Sequence, residues 1–87
     1  MKLVFSQNSI FHLYRLSVIV ASKTGKKYRL SNEQELNSLI RYCNRSESTD
    51  IARQYDTFLH SVEPEILTEI EKMTGLLFQE VRLRLVG

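Results

Sequence analysis

The chain has 87 residues, 43% hydrophobic and 25% charged, with one cysteine and a net charge of +2. A chain of this length buries about 60 to 65% of the surface its unfolded form exposes, which allows one core and a single domain over residues 1–87, with no cleft between domains. The composition lies outside the disordered range, the lone Cys43 excludes an internal disulfide or a multi-cysteine zinc site, and no apolar run approaches the ~20 residues of a membrane helix.

The first residues, MKLVFSQNSIF, break into Ser6, Gln7, Asn8 and Ser9 before an apolar stretch of signal-peptide length forms, so the expected setting is cytoplasmic. Lys2 to Ser6 reads as a short strand with Leu3 and Phe5 on one face. From His12 to Ser22, the β-branched cluster Val18, Ile19, Val20 followed by Thr24-Gly25 reads as a strand entering a hairpin. A competing reading starts a helix at a Ser9 cap, runs it from Ile10 to Ser17 and leaves only Val18 to Ser22 as strand. In the hairpin reading the loop is Lys23-Thr24-Gly25, with Gly25 left-handed. That register pairs Val20 with Tyr28 and Val18 with Leu30, and gathers Leu16, Val18, Val20, Tyr28 and Leu30 on one apolar face.

Ser31, with Gln34 three positions on, signals a helix start, and Leu36, Leu39, Ile40 and Cys43 recur on one face. The polar stretch NRSESTD, residues 44–50, is a loop. A second helix runs from Thr49 to His60 with the stripe Ile51, Tyr55, Phe58, Leu59 and Val62. Pro64 suits the first turn of a third, whose apolar face is Ile66, Leu67, Ile70 and Met73 and whose stop is Gly75; these two also read as one kinked helix. The tail LLFQEVRLRLVG alternates, with Val81, Leu83 and Leu85 against Glu80, Arg82 and Arg84, which is the pattern of a half-buried strand. The expected fold is therefore α+β, order β-β-β-α-α-α-β, a two-layer domain with helices on one face of an antiparallel sheet.

Charge is unevenly placed. Residues 1–32 hold Lys2, Arg15, Lys23, Lys26, Lys27 and Arg29 and no acid, a charge of +6 that leaves −4 for the rest. On the expected sheet, parity sends Lys2, Arg15, Lys27, Arg29, Arg82 and Arg84 to the open face, with Lys23 and Lys26 at the hairpin tip. Eight cations on one surface are enough to follow several phosphates, although lysines on exposed strands also suppress aggregation. The function expected is a non-catalytic binding module using Lys23, Lys26, Lys27, Arg29, Arg82 and Arg84 to engage an anionic partner, nucleic acid or an acidic protein surface. Tyr14 and Tyr42, each beside an arginine, are the rings left for base stacking. The alternative is a protein-interaction module or homodimer that uses a sheet edge or the apolar residues Val4 and Ile19.

Other constellations are weaker. The two helices around NRSES invite a helix-turn-helix reading with Thr49, Arg53 and Gln54 leading a recognition helix, but the turn reads as too long and lacks glycine. Asp56, His60 and Glu63 at i, i+4, i+7 offer carboxylate-His-carboxylate ligation of a metal, unless Pro64 ends the helix first. No phosphate-binding loop, nucleophile elbow or zinc-protease motif is present. Neither a cofactor nor a resident metal is expected.

Overall fold

The computed structural model describes residues 3–79 and 81. Among them the chain is all-helical, with no strand: α1 is Gln7–Thr24, α2 Glu33–Arg45, α3 Thr49–Ser61 and α4 Pro64–Thr74. The expected α+β sheet is therefore overturned. Residues 3–6 form no strand, residues 12–22 lie inside α1, and the stretch after Gly25 returns as an irregular segment. In the tail, Gln79 and Val81 are helical and Val81 is buried, against the expected strand. Arg82 and Arg84, and Lys2 at the other end, lie outside the described residues.

The largest misreading is α1, and its cause is physical. Ser6 caps the helix by accepting from the Ser9 N–H at 3.2 Å, three residues earlier than the cap expected at Ser9. Ser9, Leu13, Leu16 and Val20 then form the buried stripe. Val18 and Ile19 cost this helix a few tenths of a kcal/mol each, which burial of Leu13, Leu16 and Val20, each 0% exposed, outweighs at about 1.5 to 3 kcal/mol per side chain. Gly25 takes the left-handed conformation expected of it, φ 78°, but as a helix cap whose N–H donates to Ala21 O at 2.8 Å. A three-residue hairpin loop and a helix C-terminus make the same demand on the backbone. The chain does reverse there, and Tyr28 and Leu30 pack half-buried against the core.

The later helices follow the sequence closely. Asn32, one residue beyond Ser31, caps α2 by accepting from the Glu35 N–H at 3.1 Å, and Leu36, Leu39, Ile40 and Cys43 are buried as expected. Ser48 caps α3, whose stripe Ile51, Tyr55, Phe58, Leu59 and Val62 is buried. Val62 and Glu63 separate α3 from α4, so these are two helices rather than one kinked one. Pro64 opens α4 and Gly75, φ 76°, closes it. Leu67 and Ile70 are its core residues, while Ile66 and Met73 are only partly buried.

Packing is organised around α3. Helix α1 lies antiparallel to it: Ser9 Oγ donates to Ser61 O at 2.7 Å, Gln54 Nε2 to His12 O at 3.0 Å, and Lys23 pairs with Asp50 at 3.4 Å. Helix α2 meets α3 and α4. Phe58 sits at 0% exposure in the centre, with the Phe5 ring 5.9 Å away. Phe58→Ala should therefore cost about 3 to 5 kcal/mol in urea unfolding, most of the stability of a small domain. Gly25→Ala meets nothing within 4 Å of the added Cβ, so its cost should be the backbone term alone, about 1 to 2 kcal/mol.

Candidate functional site

Helix α1 is apolar on two sides. Opposite the buried stripe, Ile10 is 39% exposed, Phe11 54%, Tyr14 59% and Val18 48%. At about 100° per residue these positions, with Ala21, fall on one arc facing away from Leu13, Leu16 and Val20. Basic groups edge the arc. The Arg15 guanidinium lies 5.7 Å from the Phe11 ring centroid, and the Lys26 ammonium 5.0 Å from that of Tyr28.

The segment after Gly25 runs back beside α1 and makes the arc concave. Tyr14, Ser17, Val18 and Ala21 form one wall of a cleft of about 360 Å³, and Lys27 and Tyr28 the other. Nearer the N-terminus of α1 an apolar groove of about 610 Å³ is lined by Leu3, Val4, Phe5, Ile10, Leu30 and Leu36, with Gln7, Ser31 and Glu33 at its edge. Val4, 71% exposed, belongs to this groove. Ile19, the other apolar residue singled out for an interface, is only partly exposed and packs against the core.

The cations divide. Lys26, Lys27 and Arg29 lie together in the exposed segment between α1 and α2. Lys23 sits in the last turn of α1, paired with Asp50. Among the described residues no carboxylate is ion-paired with Arg15, Lys26, Lys27 or Arg29. Without a sheet, side-chain alternation no longer carries these groups to one face, and Lys2, Arg82 and Arg84 lie outside the described residues. The residues that sequence reasoning missed are Ile10, Phe11 and Val18. The signal for them was present as a second apolar arc on a helical wheel, hidden once the segment was taken for a strand.

The connection between α2 and α3 is Ser46 to Ser48, short enough for a helix-turn-helix, contrary to the sequence expectation. The exposed start of α3, however, sets Asp50 and Asp56 on either side of Arg53, which opposes a phosphate backbone. His60 Nδ1 lies 3.4 Å from Asp56 Oδ1, but Glu63 falls beyond the end of α3, so the three ligands do not share a helix face. Among the described residues no group of three acidic, His or Cys side chains is placed to hold a metal. No described helix is long and apolar enough to cross a membrane.

No family model, curated protein or solved structure matches this chain.

Cys43 is a buried free thiol. Burial pushes its thiol up to about 12. Burial, and then the nearby Cys43, pushes the Tyr55 phenol above its usual range, and its hydroxyl donates to Asn44 Oδ1 at 3.3 Å. Both folded values lie above the unfolded ones, 9.0 for the thiol and 10.0 for the phenol. The unfolded chain therefore releases these protons first, and stability is intact below about pH 9 and lost as pH rises toward 12, by up to about 1.4 kcal/mol per pH unit for each group. In urea titrations across this range Cys43→Ala should show a shallower loss than the parent chain. Alkylation of Cys43 at neutral pH should require opening of the fold and so rise with urea in step with the unfolded fraction.

Proposed function

We propose that this chain is a non-catalytic binding module that docks an acidic, amphipathic protein segment on the outer face of α1. The observation that carries the reading is the two-sided apolarity of α1. A surface helix ordinarily turns its one apolar stripe to the core and polar residues to water, and here a second apolar side, with two aromatic rings on it, is left to solvent.

The distribution of chemistry favours a protein over a nucleic acid. Aliphatic and aromatic groups occupy the centre and cations the edge, which is the anatomy of a protein interface. A phosphate chain needs the reverse arrangement, cations along its track and rings beside them. Charge also opposes a second copy as the partner at the cleft, where an isologous contact would set Lys26 and Lys27 against their own copies.

Selection of peptides from a random displayed library on the immobilised chain tests this reading. Enriched sequences should combine apolar residues at helical spacing with Asp or Glu, and Phe11→Ala and Tyr14→Ala should each weaken them by about 2 kcal/mol or more. Failure to enrich any sequence, or enrichment of basic ones, overturns it. So does tight binding of a duplex oligonucleotide that survives both substitutions, which would return the function to nucleic acid.

A further inference from the structure

Resting on that reading of α1, we infer that the partner is a helix whose two apolar anchors lie two turns apart, with its carboxylates clustered around only one of them. The cleft lies between α1, at Tyr14, Ser17, Val18 and Ala21, and the segment that returns from Gly25; the groove lies at the start of α1, at Gln7 and Ile10, among Leu3, Val4 and Phe5, Leu30 and Ser31, and Glu33 and Leu36 of α2. Lys27 and Tyr28 close the first, Leu30 the second. Since the two depressions meet α1 at successive positions, 7 and 10 and then 14 to 21, a ligand that fills both runs along α1.

The spacing follows from helix geometry. Ile10 and Val18 are eight residues apart on α1, about 12 Å along its axis at 1.5 Å per residue. A partner helix laid alongside reaches both with side chains at i and i+7 or i+8, about 10.5 to 12 Å apart. Anchors at i and i+4 span about 6 Å and fill one depression while missing the other. The small side chains of Ser17 and Ala21 add little bulk to the α1 wall of the cleft, which leaves room for one large apolar side chain.

Charge makes the two ends unequal. The cleft is bordered by Lys27, with Lys26 held beside the Tyr28 ring, whereas the groove has Glu33 at its edge. Carboxylates on the partner are attracted at the cleft and repelled at the groove. Ligand polarity along α1 is thereby fixed: the acidic anchor enters the cleft, and the anchor without acids enters the groove.

Fluorescence anisotropy with labelled helical peptides of one composition tests this. Four probes suffice: anchors at i and i+7 with glutamates beside one anchor, anchors at i and i+4, glutamates divided equally between the anchors, and lysines in place of the glutamates. The first should bind at least about tenfold more tightly than the others. Ala21→Phe and Ser17→Leu, which fill the cleft, should each abolish the preference for clustered glutamates, and Val4→Asp should abolish the preference for i+7 over i+4. Circular dichroism of each variant establishes that it is folded. Equal binding of the i+7 and i+4 peptides, with Phe11→Ala and Tyr14→Ala still damaging, overturns the two-anchor geometry and leaves the docking face standing. Equal or tighter binding of the lysine peptide, or insensitivity to Phe11→Ala and Tyr14→Ala, overturns the docking face as well.

Discussion

The seam between α1 and α3 is the contact on which the rest of the molecule depends. Along it the side chains of Leu13, Leu16 and Val20 are withdrawn from water together with Phe58 and Tyr55, and Ser9 and Gln54 stitch its polar positions to backbone carbonyls of the opposite helix. Burial at this seam overrides the strand preference of Val18, Ile19 and Val20. A host of two short helices and α4 offers no sheet edge for a strand to join, and α1 gains instead by satisfying its backbone internally. The irregular segment that follows is fixed in turn, because Gly25 terminates the helix where Tyr28 and Leu30 can still reach the core.

That seam also explains what could and could not be read from the residues. Helices α2, α3 and α4 each show one apolar stripe, a capping residue or Pro at the start and a break at the end, so local pattern and global fold agree. Leu36, Ile51 and Leu67 were legible for that reason. In α1 the apolar residues at 10, 11, 14 and 18 interleave with those at 13, 16 and 20, and two arcs superposed erase the period of 3.6 that would mark either alone. The eye then falls on the β-branched triplet. The candidate site and the misread element are the same residues, and local rules that fail at one segment mark where a functional pattern is worth seeking.

The cations were legible as a composition bias but not as a surface. Their reading depended on side-chain alternation, which is a property of strands and vanishes in a helix. With α1 helical, Arg15 lies beside Phe11, Lys23 is drawn to Asp50, and Lys26, Lys27 and Arg29 gather in the segment after the cap. The Lys23–Asp50 pair, with side chains 41% and 69% exposed, is screened by water, and exposed pairs of this kind contribute about 0 to 1 kcal/mol. It therefore says little about stability. Its consequence is to neutralise one end of the basic set and leave the remaining charges next to the apolar arc.

An exposed apolar face is a hazard before it is an asset, since two copies of the chain can hide it from water by meeting there. The same cations that would attract a carboxylate-bearing partner act against this outcome, because every copy brings Arg15, Lys26 and Lys27 to the encounter. Repulsion falls off over about 10 Å at moderate salt, the scale on which two such faces approach. On the proposed reading, specificity for an acidic partner and resistance to self-association at the cleft would come from one arrangement of charge. Removing the cations would weaken the first and the second together, whereas removing Phe11 or Tyr14 would weaken the first and relieve the second. In that proposal the apolar centre would supply the adhesion, and the basic rim would decide what is allowed to use it.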